Sequence, residues 1–276
     1  MQTRKPTLNK APIYEYIFII FICALSIFPF YFMIVSATNK STDVIAGRMT
    51  PGLYLFQNFK TLLTTPTTSL WLALWNSLRT TTIQTLLSIF ICSLAGYGFQ
   101  VYRDKRKDTM MNILLLSMMI PFASTMVPLF KMFSTAHLLN TTLGFVLPSV
   151  STAFLIFFFR QNSQAFPLET IQAARVDGLS EFGIYLRVYM PIMSPTFAAA
   201  AIVTFMNAWN NYMWPLIVLQ KNNMRTMPLF VTGLTAGYVT DYGMLMLAVS
   251  IMTLPTIILF FTQQRRFVEG ITGSVK

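Results

Sequence analysis

The side chains with the most chemical reach inside an otherwise apolar stretch are Asn207, Asn210, Asn211 and Trp214. Amides donate to and accept from hydroxyl groups, and an indole ring stacks on a sugar face, so this set can hold a polyhydroxy solute. Their spacing of i, i+3, i+4 and i+7 predicts one shared helix face. A helix entered near Pro195 carries Asn207 roughly 18 Å and Asn211 roughly 24 Å along its axis, in the middle to outer half of a bilayer. Amides within a span are costly against lipid tails and must face protein or water. Two roles stay open: lining a solute pathway, or hydrogen-bonding neighbouring helices to hold a bundle together. Other reactive chemistry is sparse. His137 is the only histidine, and no residue cluster has metal-ligand spacing, so neither a metal centre nor a hydrolase triad is expected. The phosphate loop Gly-x-x-x-x-Gly-Lys-Ser/Thr is absent, so the chain is not expected to hydrolyse ATP. Cys23 and Cys92 both fall in apolar runs and read as buried lipid-phase side chains, not as a disulfide.

The elements that position these groups follow from composition. Hydrophobic residues make up 54% of the 276 and charged ones 11%, which marks a polytopic membrane protein. Six apolar spans are predicted, at about 14–36, 74–102, 110–130, 142–159, 195–219 and 243–262. The third is interrupted by Pro121 and Pro128. Gly96 and Gly98 near the end of the second allow close helix packing. A polar segment over 37–69 lies in water, with a short surface helix over 53–63. The net charge of +11 reads as topology. Six spans put both termini on one side. Lys and Arg on that side number three in the N-terminal tail, four in the hairpin 103–108, three in the loop after span four and three in the C-terminal tail; the other side has seven. The positive-inside rule then places both termini in the cytoplasm and accounts for the basic excess without nucleic-acid binding. All four tryptophans (Trp71, Trp75, Trp209 and Trp214) then fall toward the outer half, as anchors or pathway residues.

One cytoplasmic stretch, 166–191, has a different pattern: two short helices about a hinge. Pro167 suits a first helical turn, and Glu169 sits near the positive end of the helix dipole. Gly178 stands where a left-handed cap is usual, and the second helix, 181–189, is expected to stop at Pro191. Ala173 and Ala174 let another surface approach the backbone.

Gln172-Ala-Ala, three residues, Gly178, nine residues, then Val-Tyr-Met-Pro191 resembles the "EAA" loop of ABC-importer permeases, with Gln172 in place of the glutamate. Glu169, one turn earlier, can supply the charge that Gln172 lacks. The segments Asn76-Ser-Leu, Ala95-Gly-Tyr-Gly-Phe99, Ile120-Pro-Phe122, Val127-Pro-Leu-Phe130, Leu139-Asn-Thr141, Ala208-Trp-Asn210, Trp214-Pro-Leu216 and the end from Arg266 to Lys276 are similar to the carbohydrate, maltose-permease-like branch. The resemblance implies an all-α polytopic membrane protein with six transmembrane helices and the type I ABC importer (MetI-like) permease fold. It implies a cytoplasmic N-terminal tail over 1–13, a permease domain over 14–262 with its coupling loop at 160–194, and a cytoplasmic C-terminal tail over 263–276. The coupling-loop residues are Glu169, Gln172, Ala173, Ala174, Asp177, Gly178 and Pro191. The implied partners are a second, larger permease, two ATPase subunits and an extracytoplasmic sugar-binding protein, in a prokaryotic cell membrane. No cofactor is expected in this chain; ATP and Mg belong to the ATPase. The implied activity is import of sugars, with oligosaccharides favoured. A non-sugar solute, a membrane-embedded enzyme or an ATP-independent channel are the alternatives.

Overall fold

The computed structural model describes residues 13–65 and 69–272, with the backbone alone for 265–272. The expected N-terminal tail, but for Ile13, and the last four residues of the C-terminal tail lie outside the described residues. In chain order the α-helices are α1 (Ile13–Ala37), α2 (Ser41–Ile45), α3 (Leu55–Leu63), α4 (Leu70–Val101), α5 (Lys105–Ser117), α6 (Phe122–Thr135), α7 (Thr142–Val146) and α8 (Ala153–Asn162). They continue with α9 (Leu168–Val176), α10 (Glu181–Ile184), α11 (Met190–Ile192), α12 (Ser194–Trp209), α13 (Met213–Val218), α14 (Met227–Gly233) and α15 (Tyr242–Thr272). No strand occurs among the described residues. Among the described residues three helices are long and apolar enough to cross a membrane: α1, α4 and α15 over Tyr242–Gln264. Three bent pairs bring the count to six if each is one span.

The chain divides into two compact units, residues 1–64 with 234–251 and residues 65–233 with 252–276. In the first, α1 exposes almost all of its apolar side chains, as a lipid-facing helix does. Its end is held by two buried amides. Asn39 Nδ2 donates to the Val35 and Thr50 carbonyls, and Asn58 Nδ2 on α3 donates to those of Ala37 and Asn39, all at 2.9–3.0 Å. The Tyr242 N–H donates to Ser41 Oγ at 3.0 Å and ties the start of α15 to the start of α2.

The second unit is built on α4, which packs chiefly on α8 and α12. Its buried face is polar for much of its length: Asn76, Ser77, Thr80, Thr81, Gln84, Thr85, Ser88 and Ser93. Most of these groups have protein partners, as a low-dielectric surrounding requires. Asn76 Nδ2 donates to the Asn223 and Arg225 carbonyls, the Met227 N–H donates to Ser77 Oγ at 2.6 Å, and Ser88 Oγ donates to the Ser149 carbonyl at 2.9 Å. At Gly96 the backbones of α4 and α8 meet: an added Cβ would stand 2.6 Å from Phe159 Cβ and 2.9 Å from the Arg160 nitrogen. Gly98 has open space around it, so only one of the two glycines is a packing residue.

Several expected spans differ, and prolines explain most of the differences. The third span starts earlier, at Lys105, and turns by 96° ahead of Pro121, whereas Pro128 lies inside α6 without ending it. Pro disfavours a helical residue before it, which accounts for the break at Pro121. The fourth span bends by 52° between 142–149 and 153–165, with Pro148 in the tight 3-10 turn that closes the first half. The fifth ends at Trp209, not at Leu219; α13 is a separate helix. In a continuous helix the Pro215 ring would clash with the Asn211 carbonyl, but in α13 it falls in the first turn. Pro191 likewise does not stop a helix. The chain widens into a π-turn over Tyr185–Tyr189, continues through Pro191 in α11, and bends by 83° before α12. α15 passes the expected end at 262 and runs to Thr272.

Gly96→Val forces α8 away from α4 and is expected to cost about 1–3 kcal/mol through overpacking. The check is the thermal transition of the purified protein: a fall of several degrees is expected, and an unchanged transition would show that the close approach is dispensable.

Candidate functional site

Two places in the second unit bring functional side chains together. The first is the segment from Leu168 to Pro191. Pro167 precedes α9 as its cap, and Glu169 lies in its first turn. The helix ends in a Schellman motif: the Gly178 N–H donates to the Arg175 carbonyl and the Leu179 N–H to the Ala174 carbonyl, each at 3.0 Å. Gly178 has φ +81°, the left-handed conformation the sequence anticipates there. Ile171 and Ala174 are buried, whereas Glu169, Gln172, Ala173 and Val176 form one exposed face at i, i+3, i+4 and i+7. Asp177 caps the helix and is exposed, as is Pro191. Ala174 thus faces inward, and Ala173 alone of the pair offers backbone access.

What holds this segment was not evident from sequence. Beneath it Tyr97 packs edge to face on Tyr185 and Tyr189, which stack on one another, together with Phe166 and Ile171. Tyr185 OH shares a 2.6 Å hydrogen bond with Ser93 Oγ, and Tyr189 OH one of 2.7 Å with Ser163 Oγ. On the surface, Arg175 Nε donates to Glu181 Oε1 at 2.7 Å, across the Gly178 hinge. Tyr102, just past α4, donates its hydroxyl to Glu181, and the Arg175 guanidinium lies 5.7 Å from the Tyr102 ring centre. The hydrogen bonds from Arg175 and then Tyr102 hold the Glu181 carboxyl below its ordinary range. Glu181 lies in the loop, outside the span that starts at α12.

The second place is a cavity of about 170 Å³ lined by Gln84 and Ser88 of α4, Ser149, Thr152, Phe154 and Leu155, and Val203, Thr204, Asn207 and Asn211. The helix break at 210–212 corrects the expectation of one face. Asn207 and Asn211 reach this cavity. Asn210 is exposed and donates to the Met206 carbonyl of its own helix at 2.9 Å. Trp214 is buried elsewhere against Phe133, its Nε1 donating to the Gly144 carbonyl at 2.8 Å. Trp209 is buried too and donates to the Met252 carbonyl, so only the exposed Trp71 and Trp75 keep the surface positions anchors require. Gln84 and Ser88 were missed, although the polar residues at 77, 80, 81, 84, 85 and 88 recur every three or four positions through an apolar helix. Cys23 is exposed on α1, Cys92 buried, and both are free. Among the described residues no group of His, Cys, Asp and Glu can hold a metal ion.

Residues 88–273 match the family described as binding-protein-dependent transport system inner membrane component. The chain belongs to this family. Among curated relatives it is 44% identical to the lactose transport system permease protein LacG of Rhizobium radiobacter, over 91% of this chain and 92% of the relative. It is 36% identical to the arabinooligosaccharides transport system permease protein AraQ of Halalkalibacterium halodurans, over 93% of each. A solved bacterial ABC transporter involved in the import of the acidic polysaccharide alginate has the same fold, with TM-score 0.77 at 19% identity, over 92% of this chain and 95% of that one. The family's permeases are membrane components of transport systems that work with a binding protein and an ATPase.

Arg175→Ala is expected to loosen the loop without much change in global stability, since exposed ion pairs contribute little. Hydrogen–deuterium exchange should rise over 168–181; unchanged exchange would show that the Tyr97–Tyr185–Tyr189 packing suffices alone. The Glu181 contribution has a set pH direction. Its folded pKa is depressed, so the contribution is complete above the ordinary carboxylate range and is lost as pH falls through the depressed value.

Proposed function

We propose that this chain is a transmembrane subunit of an ATP-driven, binding-protein-dependent importer of sugars, oligosaccharides above all, and that it forms half of the translocation pathway. The observation that carries the sugar reading is the end-to-end 44% identity to a lactose permease subunit. Its partners are a second, larger permease, two ATPase subunits and an extracytoplasmic sugar-binding protein. ATP and Mg are held by the ATPase, and this chain is not itself catalytic. Both termini and the segment 160–194 face the cytoplasm, which the Lys and Arg distribution supports.

The exposed face of α9 is the ATPase contact. Glu169, Gln172, Ala173 and Val176 present one carboxylate, one amide and a small apolar surface on a short helix whose end is fixed by Gly178. An amide in place of a family glutamate keeps hydrogen bonding, and Glu169 supplies the charge. The polar cavity at Asn207 and Asn211 is this subunit's share of the pathway; its amides and hydroxyls suit sugar hydroxyl groups.

Two experiments test this. A β-branched residue cannot readily adopt the φ of Gly178, so Gly178→Val is expected to abolish sugar-stimulated ATP hydrolysis in the reconstituted complex while the spans still insert. Wild-type stimulation would remove the loop from the coupling role. For orientation, single cysteines at Lys60 and Asn222 in a cysteine-free chain should react with an impermeant maleimide added to intact cells, and one at Lys105 should not. Reaction at Lys105 would invert the topology.

A further inference from the structure

We infer that the cavity between α4 and α12 accepts one uncharged sugar ring at a time and that Gln84 is the residue that selects it; this rests on the importer reading above. Size comes first. Its volume of about 170 Å³ is well under the roughly 300–1,000 Å³ of pockets that enclose larger ligands, so this subunit's share of the pathway holds one ring and not a whole chain of them. Chemistry comes second. Its polar wall consists of amides and hydroxyls (Gln84, Ser88, Thr152, Thr204, Asn207 and Asn211), and no charged side chain lines it. Arg79, the basic residue on the same helix, does not reach it.

Among the residues that line the cavity, Gln84 is the one with unspent capacity. It is 4% exposed, and its Oε1 has no hydrogen-bond partner in the chain. Ser88, which also lines the cavity, has its partner, and Thr85 Oγ1, likewise buried and unpaired, does not border the cavity. A buried acceptor left unpaired is costly, and here it lines the polar cavity. A hydroxyl donor from a neutral sugar ring satisfies it. A carboxylate or phosphate is disfavoured, because it leaves water for a wall with no cation to pair with it.

The test uses the whole complex, with its second permease, ATPase and binding protein, in proteoliposomes. The probes are radiolabelled lactose and lactobionate, an anion of nearly the same size. Wild-type complex is expected to take up lactose and to exclude lactobionate. Gln84→Leu should lower the lactose rate about tenfold, the size of one hydrogen bond lost in a dry site, and Gln84→Asn, which keeps the amide on a shorter stem, should recover part of it. Three results would each overturn the inference alone: wild-type rates in Gln84→Leu, which would mean the cavity holds only water; lactobionate uptake as fast as lactose; or loss of the assembled complex in both variants, which would make Gln84 a folding residue. If the wild-type complex imports neither compound, the lactose-type importer reading fails and takes this inference with it.

Discussion

Lipid offers no hydrogen bonds, and this single constraint organises the larger unit. α4 carries a stripe of hydroxyl and amide side chains through an apolar helix, and most are met by protein or by a polar space. At the Asn76 end they bind the backbone of 223–227, in the middle they bind Ser149 and the cavity, and at the Ser93 end they bind Tyr185. One helix thereby fixes three things at once: the link 220–227, the wall of a polar cavity, and the floor beneath the loop at 168–191. Gly96 sets how closely α8 can follow it.

The same constraint explains why the spans are broken where they are. A break in a membrane helix frees backbone groups, so breaks are tolerated where side chains and neighbouring helices re-satisfy them. Between α12 and α13, Asn210 returns its amide to Met206, and its neighbour Asn211 faces the cavity. At the other end of α12, the π-turn over Tyr185–Tyr189 aims two tyrosine hydroxyls at Ser93 and Ser163, each within 2.7 Å. The irregular backbone thus lies where α4 or the cavity can receive it, which is also where the chain has polar chemistry to use.

Much of this was legible in the residues. Apolar length announced α1, α4 and α15, and the charge pattern separated loops from spans. Gly178 declared its left-handed φ because its spacing from Ala173 and Ala174 leaves a cap as the natural reading. The misses have physical causes. Pro215 sits in the first turn of a new helix and Pro191 follows a π-turn that lets the chain run on through it, placements that local sequence cannot tell from helix termination. The face drawn through Asn207, Asn210, Asn211 and Trp214 assumed a continuous helix, and the break sent those side chains to three environments. The contact of Tyr102 with Glu181 joins residues far apart in sequence, and no local signal announces it. The stripe that exposes Gln84 was visible as a period of three to four, but a period shows a face and not what the face meets.

On the proposed reading, the exposed face of α9 meets an ATPase in the cytoplasm. A benzophenone-bearing amino acid at Gln172, illuminated in cells that express the intact complex, tests it most directly. The expected result is a single adduct with the mass of this chain plus one ATPase subunit, absent when the photoprobe stands instead at the exposed Trp75 of α4. Illumination that gives no ATPase adduct at Gln172, while the complex copurifies intact, would contradict the assignment.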